Sequence, residues 1–468
     1  MSPGALAAGP PPGLSRFRAM AMFGAFAFAY FFSALVRAVT ATLAPVFSAE
    51  LGLAASQLGL LGGAYFAGFA VMQLPLGHAL DRLGAKRVLM AFLLVAVLGC
   101  VAFAAAGSLA QLLLARFVIG VGVAACLMAP LTCFRHLYSV PGQLRANSWM
   151  LMTGSLGMLA STLPVQWLLP VLGWRGLFIG VAAGLLLAVL GIWRMVPADG
   201  PHAAPATAPG GHAPAVVASD ATESAVPAVP AEAPGGYRQV FVHPAFLRVA
   251  PLGFFAYGGM IAMQSLWIGP WLTQVAGYTA GAAAQALFVV NLSMLVAFFS
   301  WGLAMPWLIR AGWAGERLIA LAWPASVLCM ALIVWRAEQA GPALWALWCV
   351  CTSVVSLSQP AVGQAFPAAL AGRALSAFNL VIFAGVFALQ WGIGLAIDGL
   401  RAWGLAPRAA YQLTFAGFGV ACALSFGWLL AGRWWAGRHA VPPAAAPPTA
   451  PPTAPPTAPP TAAAARTH

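Results

Sequence analysis

One short polar stretch interrupts the apolar amino-terminal part of the chain: Gly77-His78-Ala79-Leu80-Asp81-Arg82-Leu83-Gly84-Ala85-Lys86-Arg87. The apolar run on each side is about as long as the ~20 residues that a membrane helix needs. Gly84 permits the backbone of a tight turn, and Gly77 lets a neighbouring helix approach closely. Asp81 can pair with a base or cap the amino end of another helix. We therefore expect a transmembrane hairpin whose basic side chains face the lipid headgroups at Arg82, Lys86 and Arg87.

The composition indicates that most of the chain lies inside a bilayer. Of 468 residues, 62% are hydrophobic and only 7% are charged, and the mean hydropathy is +0.89. A soluble domain carries about 25% charged residues, enough to cover a surface that faces water. The composition therefore excludes an ordinary cytosolic enzyme, a fibrous protein and a fully disordered chain.

Apolar runs long enough to cross a membrane fall into two groups of six, separated by a long polar break. This pattern predicts an all-α membrane protein with twelve transmembrane helices. The expected spans are 20–45, 55–77, 87–107, 109–133, 147–170, 175–196, 248–273, 281–306, 316–337, 341–366, 374–397 and 410–432.

The net charge of +13 comes from 22 basic and 9 acidic residues, which lie mostly between the spans. Their distribution is typical of topology signals and does not indicate a nucleic-acid partner. If the amino terminus is cytoplasmic, most of the basic residues lie on the cytoplasmic side. The exceptions on the outer side are Arg175, Arg336, Arg401 and Arg408. We therefore expect both termini to be cytoplasmic, in a multi-pass protein of a bacterial-type inner (plasma) membrane.

Two segments are too poor in large apolar residues to bury a core. The first, between the two groups of spans, is rich in Ala, Pro and Gly and predicts a disordered linker. The second is a Pro/Ala/Thr-rich tail that repeats Pro-Pro-Thr-Ala, which is typical of a polyproline II-type extension. The expected organisation is a cytoplasmic segment 1–18, a six-helix bundle 19–196, a cytoplasmic linker 197–247, a second bundle 248–435 and a disordered cytoplasmic tail 436–468.

A single arginine inside the first span is the sharpest functional signal. Arg37 has 18 uncharged residues before it and 12 after it, up to Glu50. Placing a guanidinium at a helix centre costs about 2.5–3.5 kcal/mol on insertion scales, so an intramembrane arginine indicates a function. Its planar fork of donors suits a carboxylate or a phosphate. The alternatives are pairing with helix carbonyls or reaching outward to the interface.

Uncharged polar residues in other spans can complete a substrate site with Arg37. The 264/267/271 spacing places Gln264, Trp267 and Trp271 on one helical face. The alternatives are that the tryptophans anchor the protein at the membrane interface and that the other side chains form helix–helix hydrogen bonds. The candidate substrate-binding residues beside Arg37 are Tyr30, Tyr65, Gln264, Trp267, Asn291 and Asn379.

No acidic residue lies deep in a span. Those near the membrane are at span ends or in loops, at Glu50, Asp81, Glu316, Glu338 and Asp398. The sequence therefore does not favour proton coupling through an embedded carboxylate, export of organic cations, or intramembrane catalysis. The seven cysteines lie in apolar stretches, and Met260 and Met263 have no deep histidine beside them. We expect no metal, no cofactor and no enzymatic activity.

The loop at 77–87 resembles the signature loop of the major facilitator superfamily. A second element, from Arg116 to Gly120 and Gly122, resembles that family's R-x-x-x-G-x-G motif, and the division into six and six spans is similar too. The resemblance covers roughly residues 19–435. It implies two pseudo-symmetric six-helix bundles with a substrate cavity between them at mid-membrane. It also implies that Asp81 meets the amino end of the eleventh span as a conformational latch, and that Arg116 is a structural or coupling residue.

Within that superfamily the chain partly resembles the anion–cation symporter branch, which has an arginine in the first span that contacts anionic substrates. Many members of the branch place an acid beside this arginine, whereas here the neighbour is Val36. The sequence therefore predicts a secondary active transporter, a monomeric permease, that moves a small organic anion by alternating access. The alternatives are an exporter of drug-like or amphipathic metabolites on the same fold and a transporter-like sensor.

Overall fold

The computed structural model describes residues 16–138, 140–197, 236–313 and 315–438, and the regular structure within these ranges is helical. Short π-helical segments (Leu252–Tyr257 and Met263–Trp267) and 3-10 segments (Ala337–Gln339 and Ser353–Leu357) join some of the helices. The α-helices are α1 Arg16–Leu51, α2 Ala55–Val71, α3 Gln73–Leu83, α4 Ala85–Ala105, α5 Leu109–Val123, α6 Ala125–Leu137, α7 Val140–Ala160, α8 Leu163–Met195, α9 Tyr237–Val242, α10 Pro244–Pro251, α11 Gly258–Ala262, α12 Ile268–Gln274, α13 Ala280–Arg310, α14 Gly315–Arg336, α15 Pro342–Thr352, α16 Ser358–Gln364, α17 Ala368–Ala402 and α18 Pro407–Arg438.

Ten helices in the described ranges are long and apolar enough to cross a membrane, and the bent pair α2–α3 makes eleven. The expected count was twelve. The difference lies around the expected spans 147–170 and 175–196. There, α7 ends at Ala160, and α8 consists of two helical stretches that meet at Gly173, whose φ of 62° is non-helical. The boundary between the two expected spans therefore lies at Gly173, where the helix is interrupted.

The predicted linker, 197–247, is too long at its carboxyl end. Residues 237–242 form α9, and α10 begins at Pro244, so the chain is already helical before the expected span at 248. Phe246 and Val249 are buried, which explains why this short amphipathic stretch folds against the bundle. The predictions of a cytoplasmic amino-terminal segment, a disordered linker and a disordered tail also concern residues 1–15, 198–235 and 439–468, which lie outside the described residues.

The hairpin at 77–87 turns where the sequence predicts. Gly84 has a φ of 82° between α3 and α4, in the left-handed region that favours glycine. Lys86 donates hydrogen bonds to the carbonyls of Trp193 (2.8 Å) and Val196 (2.6 Å), so it caps the carboxyl end of α8. Arg82 and Arg87 are exposed.

Gly77 and Asp81 were the two residues of this hairpin expected to contact other helices. The prediction that Gly77 allows close helix approach is wrong, because a Cβ atom built there would meet no heavy atom within 4 Å. The side chain of Asp81 is outside what the structure describes, so its contact with the eleventh span stays a prediction.

The two halves of the chain meet chiefly along α2 and α17, which we call the α2–α17 seam. Glycines let the backbones touch there. A Cβ on Gly59 would lie 2.2 Å from the Gln390 carbonyl oxygen, and one on Gly394 would lie 2.4 Å from the Ala55 carbonyl oxygen. These close approaches occur near the amino end of α2. We call the membrane side that holds this end the Asp398 side, and the side that holds the hairpin turn the Gly84 side.

Candidate functional site

One face of α1 is polar and the other is apolar. Tyr30, Ser33, Arg37 and Thr40 follow the 3–4–3 spacing that places side chains on one helical face. On the other face, apolar side chains line a pocket shared with α8, among them Phe32, Leu35 and Val39. Helix α7 supports this arrangement, because Gly154 leaves room for the Tyr30 ring, at 2.4 Å from a Cβ built on Gly154. The packing of α1 therefore directs Arg37 away from the apolar pocket.

The guanidinium of Arg37 lies beside phenol groups and no acid contacts it among the described residues. Tyr30 from α1 and Tyr65 from α2 interact with its charge. Both phenols lie within hydrogen-bonding reach of the guanidinium, and Ser33 lies within reach of the Cys126 thiol. Arg37 Nε is buried without a hydrogen-bond partner in the described part of the chain. Leaving a buried polar group unpaired costs about 1–3 kcal/mol, so this nitrogen is a position that a ligand can fill.

The carboxyl-terminal half also reaches this cluster. Tyr257, in the π-helical segment Leu252–Tyr257, interacts with both Tyr30 and Arg37. The cluster therefore lies where the two halves meet. The sequence prediction missed Tyr257. The available signal was its position seven residues before Gln264, which places both on one face of the seventh expected span.

The second intramembrane arginine has a different environment. Arg116 is only 1% exposed and donates hydrogen bonds to the Val36 carbonyl (3.2 Å) and to Thr40 Oγ1. Its guanidinium also lies 5.4 Å from the centre of the Tyr65 ring and 5.9 Å from that of Phe103. Arg116 thus joins α5 to α1 and α2 as a packing residue.

The glycines that follow Arg116 allow this packing. A Cβ on Gly120 would lie 1.9 Å from the Tyr65 carbonyl oxygen, and one on Gly122 would lie 2.2 Å from the Ala96 nitrogen. Real Cβ atoms do not come so close, so any larger residue would push α5 away from α2 or α4. The R-x-x-x-G-x-G element therefore holds three helices of the amino-terminal half together, and Tyr65 is positioned by it.

The candidate amides of the carboxyl-terminal half bind one another. Gln264 Nε2 donates to Asn291 Oδ1 at 3.0 Å, and Asn291 Nδ2 donates to the Leu287 carbonyl at 3.0 Å. Asn379 accepts a hydrogen bond from the side chain of Gln359. All three predicted residues are thus engaged within their own half, an arrangement typical of helix–helix contacts.

The two tryptophans of the predicted polar face are fully buried, so neither anchors the protein at a lipid interface. Trp271 stacks on Phe415 with ring centres 4.9 Å apart, and Trp267 packs edge-on against Tyr411 at 6.3 Å. These contacts belong to the aromatic core of the carboxyl-terminal half. The structure therefore brings Tyr30, Arg37 and Tyr65 together, and it packs Trp267 against Tyr411 and against α2 at Gly59.

The described residues contain no group of three or more His, Cys, Asp or Glu side chains that could hold a metal ion. No disulfide bond joins the cysteines in these ranges. The Arg37 cluster offers one cation, three phenols and a serine hydroxyl. Such a set of donors can bind an anion.

Comparisons with known proteins concern the sequence and the fold of the chain. The family described as Major Facilitator Superfamily matches residues 26–390. The chain is 29% identical over 162 residues to the "Probable sulfoacetate transporter SauU" of Cupriavidus necator, covering 35% of this chain and 38% of that protein. It is 32% identical over 154 residues to the 4-hydroxybenzoate transporter PcaK of Acinetobacter baylyi, covering 32% of this chain and 33% of that protein. The matched segments thus span about a third of the length of each relative.

A solved structure shares the fold over nearly the whole chain. It is that of a bacterial homologue of the human lysosomal transporter Spinster, in an inward-facing and unoccupied conformation. The TM-score is 0.64 at 18% identity, and the match covers 92% of this chain and 100% of that one. At this identity the likeness concerns the fold alone.

Proposed function

Since this chain belongs to the Major Facilitator Superfamily and is a multi-pass membrane transporter, we propose that it is a secondary active transporter of a small organic anion. The anion binds at the Arg37 cluster, which we define as Tyr30, Ser33, Arg37, Tyr65 and Tyr257. The halves rock about this site and expose it to one side of the membrane and then to the other. We further propose that the protein is a monomer in a bacterial inner membrane with both termini in the cytoplasm.

The observation that carries the proposal is that Arg37 Nε, a buried charged donor, has no hydrogen-bond partner among the described residues. This guanidinium lies at the junction of the two halves. A bound carboxylate, sulfonate or phosphate would accept hydrogen bonds from this guanidinium and from the phenols around it. Such bonds would offset the cost of keeping Arg37 inside the membrane. They would also give the anion contacts to both halves, which is what couples a ligand to a change between two states.

The names of the two relatives support an anionic cargo. One name specifies sulfoacetate and the other 4-hydroxybenzoate, and both compounds carry an acidic group. Their shared segments cover only part of each protein, so we use them for the class of cargo and not for its identity.

The test is ligand-induced stabilisation of the purified full chain by a panel of carboxylates, phosphates and sugars. Compounds that raise the unfolding temperature would then be followed by flux into vesicles. We expect Arg37→Gln to weaken binding of the active anion about 10- to 100-fold, because hydrogen bonds to a charged donor contribute about 1.5–3 kcal/mol. Arg336→Gln, at an exposed arginine on a helix end, is the matched control and should bind like the parent.

Three outcomes would contradict the proposal. Equal stabilisation of the parent and Arg37→Gln by every anion would remove the anion site. Stabilisation only by uncharged amphipathic compounds would favour an exporter of such metabolites. Binding without any flux in either direction would favour a sensor on the transporter fold.

A further inference from the structure

The Arg37 cluster offers one positive charge. The sequence places two basic residues deep inside the spans, Arg37 and Arg116. Arg116 lies against the Tyr65 ring, but its guanidinium is already held by the Val36 carbonyl and by Thr40 within the amino-terminal half. The other members of the cluster are hydroxyl groups, which donate and accept hydrogen bonds but carry no charge at neutral pH. One unit of negative charge on a ligand is therefore matched, and a second is not.

The cost of removing a second anionic group from water makes the site selective between ligands of one and of two negative charges. An ionised carboxylate that leaves water without a charged partner loses its hydration, and neutral hydroxyls return only part of that free energy. A ligand with one anionic group would pair with Arg37 and bring the remainder of its body against the phenol rings. A second anionic group on the same skeleton would find only Arg116, whose guanidinium already donates to Val36 and Thr40. The cost of desolvating it would then oppose binding.

We propose that the Arg37 cluster selects organic anions with a single negative charge and an uncharged remainder, and discriminates against dianions of the same skeleton. This inference rests on the proposed function, since it concerns the same site. It adds a rule for the cargo that the fold does not contain and that departs from one relative, since sulfoacetate carries both a sulfonate and a carboxylate.

The test uses matched pairs of probes on the full chain in detergent: benzoate against terephthalate, and butyrate against succinate. We expect the monoanion of at least one pair to bind at neutral pH, and its dianionic partner to bind at least about tenfold more weakly. Acidifying the buffer so that the dicarboxylate is half protonated should narrow the gap. Tyr257→Lys, which adds a second cation at the junction, should favour the dianion; Tyr257→Phe is its control for packing.

The failures of the two proposals differ. If a dianion binds as tightly as its monoanion, and both need Arg37, the rule of one charge is overturned and the anion site stands. If no probe binds in a manner that depends on Arg37, the anion site itself is overturned. If Tyr257→Lys does not fold, the comparison of matched pairs on the parent protein still decides the rule.

A different observation, at the Asp398 side, carries a second inference. Asp398 near the carboxyl end of α17 accepts hydrogen bonds from the backbone amides of Ala55 (3.2 Å) and Ser56 (2.8 Å), one on each carboxylate oxygen. These amides open α2, where the first N–H groups of a helix have no intrahelical partner and attract negative charge. The carboxylate belongs to the carboxyl-terminal half and the helix end to the amino-terminal half.

The glycine contacts of the α2–α17 seam lie beside this pair. Because Gly394 contacts the backbone at Ala55, and Gly59 contacts the backbone at Gln390, the two helices cannot separate at this end without losing both Asp398 bonds. We infer that Asp398 holds the two halves closed on the Asp398 side. Opening that side would break two charge-assisted hydrogen bonds and expose the amino end of α2 to water.

Hydrogen–deuterium exchange of the full chain tests this inference. In Asp398→Asn we expect faster exchange near the amino end of α2, together with slower exchange around the Gly84 turn, because the two sides open alternately. Glu338→Gln, which removes an exposed carboxylate that pairs with Arg408, is the control and should change neither region. A change confined to residues 55–58 would mean that Asp398 is only a local helix cap, and would overturn the inference; so would no change at all.

Discussion

The amino-terminal half and the carboxyl-terminal half bring different chemistry to the junction between them. In the first, Arg37 is buried beside Tyr30 and Tyr65, and its Nε has no partner in the described chain. In the second, Gln264 and Asn291 bind one another, and atoms left unpaired in the described chain, such as Gln390 Oε1 and Trp267 Nε1, carry no charge. A charged donor attracts an anion more strongly than a neutral group does. The comparison therefore favours an anion site on the amino-terminal half, joined by Tyr257.

The largest effect should separate the two intramembrane arginines. Arg116→Gln removes a charged donor that binds Val36 and Thr40, so we expect it to lower the free energy of unfolding by about 2–4 kcal/mol. Arg37→Gln should lower it by less than about 1 kcal/mol, because its partners in the described chain are two phenols and its removal also relieves the cost of a charge inside the membrane. Thermal unfolding followed by tryptophan fluorescence measures both. Equal losses in the two variants would break the comparison.

The amide pair of the carboxyl-terminal half should behave as a packing unit. Gln264→Leu leaves Asn291 with an unpaired buried oxygen, and we expect a loss of about 1–3 kcal/mol. Adding Asn291→Leu should recover part of that loss, since both polar partners are then gone. A double-mutant cycle of unfolding free energies measures the coupling. Additive losses, or a loss of anion binding without a loss of stability, would argue that these amides bind the cargo.

Tyr257→Phe should affect binding more than stability. It removes one hydroxyl that faces Arg37 from the carboxyl-terminal half, and a hydrogen bond contributes about 0.5–1.5 kcal/mol, or about 2- to 13-fold in affinity. The measurement is a titration with an anion that stabilises the parent. A fall in the unfolding temperature without a change in affinity would place Tyr257 in the packing of its own half.

The smallest expected difference concerns two serines. Ser265 donates to the Ile261 carbonyl and accepts from Gln390, so Ser265→Ala should cost about 1 kcal/mol of stability. Ser33→Ala removes a hydroxyl whose partner in the described chain is the Cys126 thiol, a weak hydrogen-bonding group, and should cost less than about 0.5 kcal/mol. Chemical unfolding under matched conditions compares them. The reverse order would show that pairing in the structure does not report which polar groups stabilise the fold.

Local signals in the sequence predict a large part of this molecule. Hydrophobic length marks the spans, Gly84 marks the hairpin turn, and Arg37 marks the candidate site, because each effect acts within a few residues. The family is shown by the match over residues 26–390, as the loop and the R-x-x-x-G-x-G element predicted. The identity of the cargo and the direction of its transport depend on contacts between distant segments, which features of this kind do not encode.

Contacts between distant segments are what the sequence does not predict. The Asp398 bond to Ala55 joins residues 343 positions apart, and nothing near either residue indicates the other. Tyr257 reaches Arg37 only because the two halves pack together. Gly77 was wrongly expected to touch a neighbouring helix, since a glycine marks where close approach is possible and not where a partner lies. The aromatic core around Trp271 is likewise a result of tertiary packing.

The isolated charge of Arg37 has a consequence for energetics. An arginine keeps its proton, so for the cargo proposed above the loaded site is neutral and the empty site carries +1. A membrane potential would then act on the return of the empty carrier and not on the loaded one. Each 100 mV, negative inside, would favour net exit of a monoanion by about 2.3 kcal/mol, or about 50-fold. One-for-one exchange of two monoanions would move no charge, and its rate would not depend on voltage.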